Sequence, residues 1–307
     1  MVFIKEKLIS INISTAFYDS IFDTENVGAS LNSLEEVTLN NVRSVLNDPE
    51  QLSSHIPVLP NIILELIEVL KDPNAEFLDF IKIIEKDPSL ALTVLKIANS
   101  AKYSRGDGTI QSIKKAVGIL GTAGVANIAT SVLMKSLMPE KPIYFKKFGR
   151  QIWVHSQQCA YLCQILAVEH NQNEFDAHFL GLIHDVGKII IFESLCNALS
   201  DVLSGELPGS SAFKTLMSEM SLDISYSIAK EWLLPQVYCD ALMAQCMSKS
   251  TPLSLVLFKA NILSEVYLLL KKKKIQEKQI EKLLDKLKID KSIWLSFMEK
   301  AEDFDLS

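Results

Sequence analysis

The chain is poor in the features that mark several large protein classes. Its 307 residues include five cysteines, Cys159, Cys163, Cys196, Cys239 and Cys246. An odd number without a secretory signal argues against a disulfide framework, and the lack of any CxxC pair removes the usual mark of a structural zinc. Cys159 and Cys163, four apart, read as small buried hydrophobes on one helix face. No basic excess exists: the net charge is −6, which argues against a nucleic-acid binder. The single basic run, Lys271 to Lys274, continues as Lys278, Lys282, Lys286 and Lys288 interleaved with Glu277, Glu281 and Asp285, the pattern of a solvated helix face. No apolar stretch reaches the roughly 18 uncharged residues of a spanning helix. Leu253 to Leu270 comes closest and is interrupted by Lys259, Asn261 and Glu265. The opening MVFIKEKLISINIS has charges inside a short apolar run and no small-residue cleavage site, so it is a poor signal peptide. The expectation is a soluble, cytoplasmic protein. There is no GxSxG elbow and no HExxH. The segment ILGTAG lacks the preceding strand and the following Lys-Ser/Thr of a phosphate loop.

What the chain does have is helical periodicity. Apolar residues recur at i, i+3, i+4 and i+7 in Ile62 to Leu70, Phe77 to Ile84, Leu90 to Ala98, Ile152 to Ala167 and Leu253 to Leu270. Alternating patterns are scarce; Phe3 to Ile13 fits a short strand or a frayed helix equally well. Asp48-Pro49 and Asp87-Pro88 suit an N-cap followed by the first helical residue. Asp72-Pro73 reads as a turn, with Asn74 as the cap of a helix starting at Ala75. Arg105 to Gly108 (RGDG) reads as a loop, Gly121 and Gly124 as a tight turn between helices, and Phe22 to Glu36 as a polar connection. The prolines of MPEKPIY, Met138 to Tyr144, separate two lobes. The expected fold is therefore all-α and two-lobed. It has an N-terminal extension (1–51), a helical lobe (52–137), a second lobe (144–270) and a charged C-terminal helical segment (271–307).

The chemistry centres on FLGLIHDVGK, Phe179 to Lys188. His184 and Asp185 are adjacent, and a histidine-aspartate pair of this kind holds a divalent cation in metal phosphohydrolases. A site needs further ligands converging from other helices. His155, in RQIWVHSQQCAYL, is the natural third. The later helix offers Asn261, whose neutral amide oxygen is a poorer ligand than a carboxylate, and no histidine follows His184. The structural alternative is a core pair in which Asp185 accepts a hydrogen bond and His184 is packed. His55, His170 and His178 read as surface or loop histidines. Asn99-Ser100, after an apolar helix, suits a cap or a pin for the next loop.

Five segments in order resemble the HDOD family, the HD-related output domains of bacterial signalling proteins. They are Leu59 to Ser104, Ile110 to Gly121 (IQSIKKAVGILG), Ile152 to Ser156 (IWVHS), FLGLIHDVGK and Lys230 to Pro235 (KEWLLP). Asp87, Pro88, Asn99 and Ser100 look like family markers. Many relatives carry more histidines; here Ser221 precedes Trp232, Gln245-Cys246 stand where a His-His pair is common, and Asn261 stands where the final aspartate belongs. The resemblance implies a two-lobed HD-related helical bundle. It also implies a non-catalytic regulatory or output module, with a vestigial site of His155, His184, Asp185, Lys188 and Asn261 and no catalytic residue. No cofactor is expected; a divalent metal, if held, would lie on His155, His184 and Asp185. The expected partners are a signalling protein met in trans, a second copy of the chain or a small signalling nucleotide, with neither nucleic acid nor membrane. Two alternatives accompany this reading. One is a metal-dependent phosphodiesterase with a reduced site, in which Lys188 steadies a phosphate; the other is a nucleotide sensor that does not hydrolyse.

Overall fold

The structure is a computed structural model describing residues 12–22, 28–100, 109–138, 143–201, 205–247 and 250–306. The segment Phe3 to Ile13 lies mostly outside the described residues, as do RGDG and part of MPEKPIY. Among the described residues the chain is helical, with no strand. It divides into two compact units: Val58–Leu137, and a larger one built from 1–57 and 138–307.

The larger unit begins with α1 (Ile13–Phe22), α2 (Ser33–Asn47) and α3 (Pro49–His55). The smaller contains α4 (Asn61–Lys71), α5 (Phe77–Glu85), α6 (Pro88–Ala98) and α7 (Ile113–Lys135). The larger resumes with α8 (Ile143–Glu169), α9 (Glu174–Ile183), α10 (Gly187–Asp201), α11 (Ser211–Glu231), α12 (Gln236–Cys246), α13 (Pro252–Lys271), α14 (Glu277–Leu287), α15 (Lys291–Ala301) and a 3-10 turn, Asp303–Leu306. Helix starts follow the sequence chemistry. Asp48 Oδ1 accepts from Glu50 and Gln51 N–H (3.0 and 3.3 Å), and Asp87 Oδ1 from Ser89 and Leu90 N–H (2.8 and 3.0 Å), each with proline at the first helical position. Asp72-Pro73 lies in a turn, but α5 begins at Phe77 with Glu76 as its N-cap, later than the start expected at Ala75. The end of the Phe22 to Glu36 segment is not a simple polar connection. Asn32 and Glu35 form a capping box, and the fully buried Glu35 carboxylate also accepts from Gly209 and Ser210 N–H (2.7 and 2.8 Å). This stitches the N-terminal region to the start of α11.

In the smaller unit α6 and α7 pack together, and α5 lies against both. Helix α7 is broken at Gly121, whose φ of 74° and ψ of 164° favour glycine; this is the turn expected between helices. Asn99 pins the return of the chain after α6. Its side-chain amide donates to Leu95 and Ile110 carbonyls (2.9 and 2.8 Å), and its oxygen accepts from Ile110 N–H (2.7 Å). Ser100 donates its N–H to Ile97 O (3.0 Å) and ends the helix.

In the larger unit α8 packs against α9 and α13, α10 against α2 and α11, and α12 against α11 and α13. Helices α7 and α13 are long and apolar enough to cross a membrane by length and composition alone, which corrects the sequence expectation that no stretch reaches that length: Ala116 to Met134 of α7 carries no charge; 78% of the apolar window of α13 is buried within the protein. Core helices pass the same test when they are apolar all round. Helix α14 buries Ile280, Leu283, Leu284 and Leu287 and turns its lysines and acids outward, as the alternating charge pattern implied.

Helix α1 rests on α13, α11 and α8. It buries Ile13, Phe17, Tyr18, Ile21 and Phe22, none more than 6% exposed. Phe22 joins a ring cluster with Phe148, Phe192 and Phe213 at centroid distances of 5.3, 6.0 and 6.3 Å. Asp19 pairs with the buried Lys214 of α11. At about 2 kcal/mol per buried side chain the helix gains roughly 10 kcal/mol of gross apolar burial. It is a fixed wall of the unit.

Candidate functional site

The His-Asp pair lies in the turn between α9 and α10. His184 caps α9, donating its N–H to Leu180 O (3.0 Å), and α10 starts at Gly187. Two glycines set the position of this turn. A Cβ at Gly181 would lie 2.5 Å from Ala160 Cα and 2.7 Å from Ala160 N, so α9 meets the backbone of α8 there. A Cβ at Gly187 would lie 2.7 Å from Ser225 N and 2.9 Å from Ile224 Cβ, and Gly187 N–H donates to Ser225 Oγ (2.9 Å). The glycines of FLGLIHDVGK thus press the pair between α8 and α11.

His155, His184 and Asp185 converge. One ligand atom from each lies within 4.8 Å of the others, and all three residues are buried. His155 Nε2 and His184 Nε2 approach the same oxygen, Asp185 Oδ2, at 3.3 and 3.4 Å. Neither nitrogen makes a well-formed hydrogen bond. Their other nitrogens are engaged. His184 Nδ1 lies 2.8 Å from Gly181 O, which can only accept, so Nδ1 carries a proton. His155 Nδ1 lies 2.9 Å from Ser264 Oγ, which is also 3.2 Å from Gln158 Oε1. If the serine proton goes to Gln158, Ser264 accepts from His155 Nδ1–H. Ring orientation fixed by such outer partners is what metal-ligating histidines use.

The charges at the site point the other way. Lys188 Nζ sits 2.5 Å from Asp185 Oδ2, with both side chains about 5% exposed or less. Burial opposes ionisation of Asp185, but the neighbouring His184 and Lys188 charges overcome it and hold the carboxyl well below the usual range. Burial also opposes protonation of His184, yet Asp185 and Cys159 outweigh it and lift the imidazole to about 9. Lys188 is raised likewise, its desolvation offset by Asp185. His155 is lowered, chiefly by burial. An incoming divalent ion would have to displace a proton from His184 and stand beside an ammonium. A divalent ion and an ammonium about 4 Å apart repel by about 8 kcal/mol at an effective dielectric near 20, twice the value for two unit charges. The donor geometry suits a metal; the charge around it does not. The site therefore does not fit a divalent ion as it stands.

The remaining residues expected at the site fall around it. Asn261 lines the same cavity as Asp185 and Lys188, and its amide oxygen is buried without a hydrogen bond. Ser221 and Gln245 also line it; Gln245 Nε2 donates to Ser254 O (2.8 Å), while Cys246 is exposed. Asp87, Pro88, Asn99 and Ser100 belong to the smaller unit, where they serve as caps and pin. His178 is a correction to the sequence reading. It is buried within α9, and desolvation drives its imidazole down to about 3. The helix EFDAHFLGLI is covered on nearly every side, so residue type misled.

Sequence reasoning did not place α1 at the His-Asp cluster. The Phe17 ring lies 4.8 Å from the His155 ring, and Lys188 Nζ lies 5.3 and 5.4 Å from the Phe17 and Tyr18 ring centroids. The cavity left beside the cluster is about 50 Å³, with Tyr18 on one side and the buried Glu265 on another. Glu265 was visible as a charge interrupting an apolar run. Nothing in the local sequence pointed Phe17 and Tyr18 toward His155.

Comparison with known proteins agrees with this architecture. A protein from Shewanella amazonensis SB2B described as a candidate phosphohydrolase superposes with a TM-score of 0.60 at 18% identity, covering 88% of this chain and 96% of its own. An HDOD domain protein of unknown function from Geobacter sulfurreducens gives 0.59 at 20% identity, covering 88% and 97%. An uncharacterized protein of Treponema pallidum (strain Nichols) is 24% identical over 191 residues, 59% of this chain and 36% of its own; the chain thus spans about a third of the curated relative it matches. The HDOD domain profile matches residues 56–246, more than half of the sequence, and the chain belongs to the HDOD family.

Proposed function

We propose that this chain is a non-catalytic regulatory module of bacterial signal transduction, cytoplasmic, which acts by binding a signalling protein in trans. The observation that carries this reading is the size and furnishing of the space at the His-Asp cluster. A cavity of about 50 Å³, with Lys188 on the carboxylate and an amide at Asn261, offers a nucleotide no room. Small-molecule sites usually run to roughly 300–1,000 Å³. This weighs against both a phosphodiesterase and a nucleotide sensor. The Shewanella protein's description as a candidate phosphohydrolase favours hydrolysis in that protein; at 18% identity it carries over the fold alone.

The test is turnover of bis-p-nitrophenyl phosphate and of cyclic dinucleotides by the purified chain with Mn2+ supplied, together with calorimetric titration of the same dinucleotides. The expected results are no hydrolysis above buffer and no heat of binding. Hydrolysis lost in His184→Ala would replace this reading with the phosphodiesterase. Saturable heat without hydrolysis would replace it with the sensor.

A further inference from the structure

We propose that Lys188 is the resident cation of the His-Asp cluster, and that its ammonium, rather than a shortage of ligands, keeps a divalent ion out. Three ligand atoms within 4.8 Å of one another are enough for an open three-ligand site. What distinguishes this cluster is the group already on the shared oxygen. Lys188 Nζ lies 2.5 Å from Asp185 Oδ2, the atom that both histidine Nε2 nitrogens approach at 3.3 and 3.4 Å. The spacing is local: Asp185 and Lys188 are three apart across the start of α10, so the lysine reaches back over the turn that carries the pair.

The ammonium is also held from the other side. Phe17 and Tyr18 of α1 place their rings 5.3 and 5.4 Å from Nζ, and aromatic faces attract cations most when desolvated. Lys188 is only 4% exposed, and α1, which carries Phe17 and Tyr18, is itself held by Phe22, Ile21 and the Asp19–Lys214 pair. Carboxylate and rings together make a seat for an ammonium. The N-terminal helix thereby takes part in keeping the cluster free of metal.

The experiment is Mn2+ titration of the full chain by calorimetry, with electron paramagnetic resonance as a second readout of bound metal. The variants are Lys188→Met and K188M/H184A. The wild type should bind no stoichiometric Mn2+. K188M should bind one ion per chain at least about a thousandfold more tightly, a lower bound on the relief of one nearby charge, and K188M/H184A should lose it. One tightly held ion in the wild type, or no gain in K188M, would overturn the proposal. If K188M does not fold, the wild-type titration and the K188M/D185N double variant decide. Restored folding of the uncharged pair supports two charges that answer one another, and failure to restore it counts against them. Mn2+ held by the wild type without turnover would overturn this inference while leaving the regulatory reading intact.

Discussion

The two units bury different things. In the larger, charged and titratable groups are enclosed and answer one another: Lys188 with Asp185, Lys214 with Asp19, and Glu35 with three backbone N–H groups. In the smaller, the buried polar side chains among the described residues are Asn127 and Thr130, and no histidine occurs between Val58 and Leu137. One unit keeps the arrangement of a chemical site, with its own cation inside. The other is an apolar helical pack tied by caps and one asparagine pin. The larger unit should therefore respond strongly to charge and pH, and the smaller to backbone geometry.

The largest effect should come from Asp185→Ala. Removing one partner of a buried ion pair leaves Lys188 uncompensated and should cost about 4 kcal/mol, read from urea unfolding. The matching change in the smaller unit, Asp87→Ala, removes only a helix cap and should cost about 1 kcal/mol. Equal losses would erase the contrast. Gly187→Ala should cost about 3 kcal/mol, because its Cβ would strike the backbone of α11 at Ser225.

The pH response sharpens the same contrast. His178 is held neutral by burial down to about pH 3, whereas an unfolded histidine takes a proton near 6.5. The unfolded state therefore binds more protons below 6.5, so stability from this group is present above that pH and falls as acid is added. The wild type should lose about 2 kcal/mol between pH 7 and pH 5 that His178→Leu does not lose, by comparison of unfolding midpoints. Asn99→Ala should cost about 2 kcal/mol at either pH, since it frees the N–H and C=O of Ile110. The smallest effect has the opposite sign. Gly118 is exposed, helical and has open space at its Cβ position, so Gly118→Ala should stabilise by about 0.7 kcal/mol.

Local chemistry was legible in the sequence. Asp48 and Asp87 announced their helices and Gly121 its break, because each acts within a few residues of itself; Asn99 announced a pin for the loop that follows it, which closes at Ile110. The convergence of His155 on His184-Asp185 was legible through ordered motifs. The surroundings of the cluster were not. Phe17 and Tyr18 meet His155 and Lys188 from far along the chain, and an amphipathic helix does not state which surface it will cover. Lys188 stood visibly three residues from Asp185, but spacing alone did not tell whether it turns inward to the carboxylate or outward to a phosphate. His178 was misjudged because burial on nearly all sides of α9 overrode the preference of its residue type.

The cluster is proposed to hold its own cation and to perform no hydrolysis. Elemental analysis of the purified chain, after incubation with Mn2+ and Zn2+ and removal of free ions by gel filtration, tests this proposal most directly when paired with a phosphodiester assay on the same sample. Substoichiometric metal and no turnover are expected. One ion per chain, lost together with phosphodiester cleavage in His155→Ala, would contradict the proposal.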